Sequence, residues 1–170
     1  MLVKIIGVLF VIGSCGGVGF KLASDHREEE KTLRELLRIL DYMECELQYR
    51  ITPFPQLCRQ IESTFSMKIG NAFGLFALEL DSMISPSVDL CMTNALAKCG
   101  NLSPYVHKNL VLLGKNVCHF DLDGQIKGID AVRQECKKDL EALEQNRDSR
   151  LRSYQTLGLC AGAALAILLV

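Results

Sequence analysis

The sequence has no tryptophan, few aromatic residues and little proline, and its charges almost cancel. Of 170 residues, 6% are aromatic, 4 are proline and 13 are glycine. These proportions are too low for a collagen-like or low-complexity chain. The 19 basic and 20 acidic residues leave a formal charge of -1, which argues against a generally basic nucleic-acid-binding protein. The length suits one modest domain and excludes a large multidomain enzyme.

Close pairs of cysteines are also absent. The eight cysteines are scattered, and none forms a C-x-x-C motif; they lie at positions 15, 45, 58, 91, 99, 118, 136 and 160. Zinc and redox sites need such pairs. We therefore expect reduced thiols that lie on apolar faces of helices.

Charge is missing from both ends of the chain. Residues 5–20 and residues 153–170 contain no charged side chain. A helix needs about 20 mainly apolar residues to cross a bilayer, so residues 1–23, with Lys4 at the interface, and residues 153–170 each predict a transmembrane helix. Small residues four apart would let such helices approach closely, although glycine is also simply common in membrane helices; these are Gly13, Gly17, Gly158 and Gly162.

Basic residues flank the central segment at both of its ends. They are Lys21 and Arg27 after the first predicted span, and Arg147, Arg150 and Arg152 before the second. Basic flanks stay on the cytoplasmic side of a membrane. We therefore expect residues 24–152 to form a cytoplasmic domain with both termini outside. The same side chains could contact anionic lipid headgroups or act only as topology determinants.

The first apolar segment also permits a different interpretation. Ile12-Gly13-Ser14-Cys15 resembles the cleavage motif of a lipoprotein, and cleavage there would leave a lipid-anchored adaptor with its helical domain outside the cytoplasm. The residues after Cys15 remain apolar, and a second anchor would be redundant. An uncleaved spanning helix is therefore favoured, with the lipoprotein as the alternative.

Hydrophobic periodicity and chain breakers divide the centre into helices. Apolar residues recur at three- and four-residue steps. The breaks between them are Thr52-Pro53-Phe54-Pro55, Ser85-Pro86-Ser87, Gly100 to Pro104 and Asp121-Leu122-Asp123-Gly124. The last helix is expected to begin at Gln125. No segment alternates like a strand over more than a few residues. We predict an all-α fold with about six helices in a bundle, flanked by the two transmembrane helices.

The first and last of these helices should meet at their far ends. Both are expected to leave the membrane and to run about 26 to 28 residues, which corresponds to roughly 40 Å at about 1.5 Å per residue. This length brings two turns together at the pole farthest from lipid. The residues concerned are Thr52, Pro53, Phe54 and Pro55 from the first turn, and Asp121, Asp123 and Gln125 from the second.

Motifs with catalytic or metal-binding chemistry are weak. The segment from His119 to Asp130 resembles an EF-hand loop, but His replaces the first Asp, and Asp130 replaces the bidentate Glu. A turn that caps the last helix is the preferred interpretation. Cys118 and His119 are sequence neighbours, and such side chains rarely point at one another. We predict a non-enzymatic scaffold with no cofactor or metal; an ion-responsive sensor or membrane enzyme that uses His119, Asp121 and Asp123 is the alternative.

The whole pattern resembles the stage III sporulation protein AB family of endospore-forming bacteria. The similarity covers nearly the full length, except for a divergent stretch from Ser63 to Leu102. It is carried by Gly19-Phe20, Leu33-Arg34, Glu44, Glu46-Leu47, Tyr49, Thr52-Pro53-Phe54-Pro55, Leu113-Gly114, Asp121, Gln125, Lys127, Tyr154, Leu157-Gly158 and Gly162.

The resemblance implies a platform component of the secretion-like channel between mother cell and forespore. Proteins of this kind lie in the mother-cell membrane around the forespore, and their helical domain is similar to inner-membrane platform proteins of type II secretion and pilus machines. Such platforms couple a cytoplasmic secretion-type ATPase to membrane components. The implied partners are other channel subunits, that ATPase, membrane lipids and a further copy of the chain, with no nucleic acid. With the geometry above, we expect the distal pole to dock the ATPase.

Overall fold

The computed structural model describes residues 27–50, 52–65, 67–82, 85–100, 102–117 and 121–169; for residues 146–169 it describes the helical backbone alone. The described residues form six helices and contain no strand, which confirms the all-α prediction. Helix α1 covers residues 27–45 and continues into a π-helical turn, Glu46–Arg50. The other helices are α2 (Phe54–Thr64), α3 (Met67–Ser82), α4 (Val88–Lys98), α5 (Pro104–Asn116) and α6 (Leu122–Leu169).

The chain divides into two compact units. One is Glu29–Leu140, and the other includes α6 from Glu141 onward. Within Glu29–Leu140, α2 packs on α3, α3 on α4 and α4 on α5. Connections of only a few residues join these helices, so successive helices run antiparallel.

The apolar stripe of α1 forms one side of the core in the Glu29–Leu140 unit. Its side chains recur at three- and four-residue steps and are almost inaccessible to solvent; they are Leu33, Leu36, Leu40, Met43 and Leu47. Burial of one such side chain stabilises the fold by about 2 kcal/mol. On α6, Ile129, Val132 and Cys136 are also at 0% exposure. The predicted recurrence of apolar residues at three- and four-residue steps is therefore confirmed as a buried stripe on each helix.

One helix start differs from the sequence-based expectation, and another agrees with it. Helix α6 begins at Leu122 rather than Gln125, because the carboxylate of Asp121 accepts a hydrogen bond from the Gly124 amide at 3.1 Å and thereby caps the helix. Helix α5 does begin at Pro104, after Ser103, but the Ser103 hydroxyl makes no capping hydrogen bond. The proline alone fixes that start, since its φ angle suits the first turn of a helix.

Five cysteines lie in residues whose side chains are described, and all five are free. Cys58, Cys91 and Cys136 are buried, as expected for cysteines on apolar faces. Burial raises the pKa of the Cys136 thiol to about 12, with a further contribution from Asp139. Cys45 is exposed, so the expectation of an apolar environment was wrong at that position. The periodicity of α1 places Cys45 between the buried Met43 and Leu47, on the opposite side of the helix.

The predicted membrane spans are only partly covered by the description. Residues 1–23, with Gly13, Gly17 and Lys21, lie outside it. Helix α6 continues through residues 153–169, with Gly158 and Gly162 on its backbone. Among the helices as far as they are described, none combines the length and apolar character that crossing a bilayer requires.

Helix α6 approaches the end of α5 closely at a glycine. A Cβ atom at Gly128 would lie 2.4 Å from the carbonyl oxygen of Asn116. We expect Gly128→Ala to push the two helices apart and to lower the free energy of unfolding by about 1–2 kcal/mol, because overpacking outweighs the gain in helix propensity. Urea titration followed by circular dichroism measures this change.

Gly100→Ala is the matched control for that substitution. A Cβ atom at Gly100 meets nothing within 4 Å, so the free energy of unfolding should change by no more than about 0.5 kcal/mol. Equal effects of the two substitutions would contradict close packing at Gly128.

Candidate partner-binding surface

Contacts between α1 and α6 fix the register of the two helices. The thiol of Cys136 donates to the carbonyl oxygen of Leu33 at 3.7 Å, and Arg133 Nε lies 2.9 Å from Asp41 Oδ1. Residue numbers rise along α1 while they fall along α6, so the two helices are antiparallel. Because both helices continue in this register, the end of α1 lies level with the start of α6.

One guanidinium group joins the two helices. Arg133 of α6 contacts Asp41 and Glu44 of α1, and it also contacts Asp130 of its own helix at 3.2 Å. The Arg133 side chain is only 14% exposed. Burial opposes its charge, but the neighbouring carboxylates, led by Glu44, outweigh that effect and raise the pKa of Arg133. Three carboxylates around one guanidinium leave two unbalanced negative charges at this place.

A second polar cluster joins α6 to α5. Lys108 Nζ lies 2.8 Å from an oxygen of Asp139 and 3.0 Å from one of Glu135. The amide of Asn109, which is fully buried, donates to Asp139 at 2.7 Å. The hydrogen bonds that Lys108 donates to Asp139 and Glu135 raise the pKa of Lys108, and the bond to Asp139 has the larger effect. The polar side chains of α6 thus hold both of its neighbours in register.

The turn after α1 is held by a buried carboxylate. Glu46 is 5% exposed; it accepts a hydrogen bond from the Thr52 hydroxyl at 3.1 Å and pairs with Arg50 at 3.1 Å. The same stretch, Glu46–Arg50, is π-helical, a conformation that often marks functional sites. Thr52, which the sequence assigns to the docking pole, therefore also shapes the turn.

The other predicted docking residues differ in their accessibility. Pro53 is exposed, whereas Phe54 and Pro55 are half-buried. The ring of Phe54 packs edge-on against Phe76 of α3, with ring centroids 5.9 Å apart. At the start of α6, Asp121 and Asp123 are exposed, and Gln125 is half-buried. The antiparallel register favours proximity of the two turns; that they form one site stays a prediction.

Sequence reasoning missed two exposed apolar side chains at this end. In the part of the chain that the structure describes, four large apolar side chains are exposed: Tyr49 (80%), Leu78 (62%), Leu90 (42%) and Leu122 (38%). Tyr49 lies in the π turn, and Leu122 is the first residue of α6. The helical periodicity could have identified Tyr49, because it does not continue the stripe of Leu40, Met43 and Leu47.

The structure describes only some of the basic residues that the sequence places near the membrane. Arg27 is an exposed residue at the described start of α1. Arg147, Arg150 and Arg152 lie on α6, where the backbone alone is described, so their contacts with lipid stay a prediction.

The described residues contain no group of three His, Cys, Asp or Glu side chains that could hold a metal ion. The EF-hand-like loop is covered only in part, because His119 lies outside the description. Within the described part, the Asp121 carboxylate caps α6, as the preferred interpretation of that turn predicts.

These features define a small all-helical protein that uses several of its polar side chains to join helices and exposes apolar and acidic residues at one end. The family model of stage III sporulation protein AB matches residues 4–170. The chain therefore belongs to the stage III sporulation protein AB family, which supports a role in sporulation.

Two relatives agree with this assignment. Stage III sporulation protein AB of Bacillus subtilis (strain 168) is 24% identical over 172 residues, which cover 99% of this chain and 100% of the relative. A solved structure of stage III sporulation protein AB is similar with a TM-score of 0.62 and 22% identity, and the match covers 72% of this chain and 98% of that one. At this identity the structural match shows the fold.

The arginine cluster yields a prediction about stability. We expect Arg133→Met to lower the free energy of unfolding by about 2 kcal/mol, between the values typical of exposed and buried ion pairs, because three carboxylates would then face one another without a cation. Chemical denaturation measures the loss.

Arg59→Met is the matched control for the loss of an ion pair. Arg59 of α2 pairs with Asp81 of α3, and the two side chains are 57% and 40% exposed. Its removal should cost no more than about 1 kcal/mol. An Arg133 variant as stable as the Arg59 variant would show that the cluster does not hold α1 against α6.

Proposed function

We propose that this protein is a membrane-anchored, non-enzymatic platform component of the sporulation channel between mother cell and forespore. Its helical unit docks a cytoplasmic secretion-type ATPase or another channel subunit at the end where α1 turns into α2 and α6 begins. The observation that carries this proposal is the combination of family membership with an exposed apolar and acidic end on a braced pair of helices.

The use of the polar side chains supports a scaffold. The Arg133 cluster joins α6 to α1, and the Lys108 cluster joins α6 to α5. Both clusters are ion pairs between helices, an arrangement that fixes register. The exposed side chains Tyr49 and Leu122 contribute nothing comparable to the core, which leaves them available to a partner.

The ends of the chain support anchoring in the mother-cell membrane. Residues 153–170 carry no charge, and a segment of this length is enough for one span. Three arginines precede this segment and would hold the helical unit on the cytoplasmic side. The lipoprotein alternative, with processing at Cys15, would place the unit on the other side.

The exposed Cys45 provides a test of this topology. In a variant that keeps Cys45 as its single cysteine and is expressed in vegetative cells, where the outer side of the membrane faces the medium, a membrane-impermeant maleimide should label the protein only after the cells are permeabilised. A matched variant with its single cysteine placed before Met1 should be labelled in intact cells. Labelling of Cys45 in intact cells would contradict the cytoplasmic location and favour the lipoprotein adaptor.

Docking at the pole can be tested with a charge-reversing double substitution. Pro53→Ala with Asp121→Lys should abolish co-purification of the ATPase, because it alters both turns at once. The loss of the Asp121 cap costs about 1 kcal/mol, so helicity by circular dichroism should stay unchanged.

Pro104→Ala with Glu141→Lys is the control for this experiment. It makes the same chemical changes at the start of α5 and about 30 Å along α6 from Asp121. The control should still retain the ATPase. Retention by both variants would exclude the two turns as the docking site.

A further inference from the structure

Two exposed apolar side chains, Tyr49 and Leu122, lie at the end of the bundle where α1 ends and α6 begins. On α6, Leu122 precedes Arg133 by eleven residues, which is about three turns, so both lie on one face of the helix. On α1, Tyr49 follows Asp41 by eight residues. In an uninterrupted α-helix, that spacing would rotate Tyr49 away from Asp41 by about 80°.

The π turn reduces this rotation. Its i→i+5 hydrogen bonding accommodates more residues in each turn, so Glu46–Arg50 brings Tyr49 back towards the face of Asp41. Asp41, Cys45 and Tyr49 are all exposed. Because Asp41 contacts Arg133, the faces that carry Tyr49 and Leu122 border the same seam between the helices.

The seam combines apolar and acidic groups at a regular spacing. Tyr49 and Asp41 are eight residues apart on α1, and Leu122 and Asp130 are eight residues apart on α6; each distance corresponds to about 12 Å. Asp41 is 66% exposed and Asp130 is 49% exposed. With Glu44, these carboxylates exceed the single positive charge of Arg133 by two. Excess negative charge repels nucleic acid and anionic lipid and attracts a basic surface.

We propose that this seam is the surface on which the docking partner binds, and that the partner presents an apolar anchor with Lys or Arg side chains about 12 Å away. Tyr49 and Leu122 receive the anchor, and Asp41 and Asp130 pair with the basic side chains. The arrangement matches the usual anatomy of an interface, with an aromatic centre and a charged rim. This inference rests on the proposed function, because it takes the cytoplasmic ATPase as the partner.

The experiment measures binding of the purified ATPase to the full chain in lipid nanodiscs at several salt concentrations. Tyr49→Ser with Leu122→Ser should weaken binding about tenfold or more, mainly through faster dissociation. Asp41→Asn with Asp130→Asn keeps the contact between Glu44 and Arg133; it should slow association and reduce the dependence on salt.

Leu78→Ser with Leu90→Ser is the matched control. It removes two exposed leucines of α3 and α4 that are not part of the seam, and it should leave affinity unchanged. If the wild-type chain binds the ATPase and the Tyr49 and Leu122 variant binds equally well, the seam is excluded while the proposed function stands. If the wild-type chain does not bind the ATPase, its role as partner is excluded, and this inference falls with it.

Discussion

The antiparallel pairing of α1 with α6 is the constraint on which the rest of the structure depends. Helix α1 is the first and α6 the last of the described helices. Arg133 fixes their register by contact with Asp41 and Glu44. A hydrophobic stripe alone tolerates sliding by a turn, because each leucine finds an equivalent neighbour. A partly buried guanidinium does not tolerate such sliding, because displacement would leave its charge without a partner. Tyr42 of α1 contacts Gln60 of α2, and Lys108 of α5 contacts Asp139 of α6, so one neighbouring helix is attached to each member of the pair.

Most of the fold could be predicted from the sequence, because the determinants are local. Prolines at the starts of α2 and α5 and the period of the apolar residues define helices independently of tertiary contacts. The sequence predicts the start of α6 three residues too late, because Asp121-Leu122-Asp123-Gly124 is compatible with a turn as well as with the first turn of a helix that Asp121 caps. Cys45 was misassigned because a cysteine is compatible with either face of a helix.

Less of the candidate site could be predicted, because it depends on pairs of residues distant in sequence. Arg133 lies beside the apolar residues Ile129, Val132 and Cys136 of α6, and nothing in that pattern identifies Asp41 and Glu44 on α1 as its partners. Likewise, the polarity of Glu46 gives no indication that it is buried against Thr52. The exposure of Leu122 depends on which side chains of other helices pack beside the start of α6, which is a tertiary property.

The π turn of α1 has a consequence for how this family can diversify. An extra residue accommodated within a helix shifts the phase of everything after it, while the preceding stripe keeps its contacts. Removal of one residue from Glu46–Arg50 would restore regular winding and swing the following turn around the helix axis, while the buried residues from Leu33 to Met43 keep their positions. The direction in which the tip of the bundle points can thus change by a single insertion or deletion, independently of the packing that stabilises the bundle.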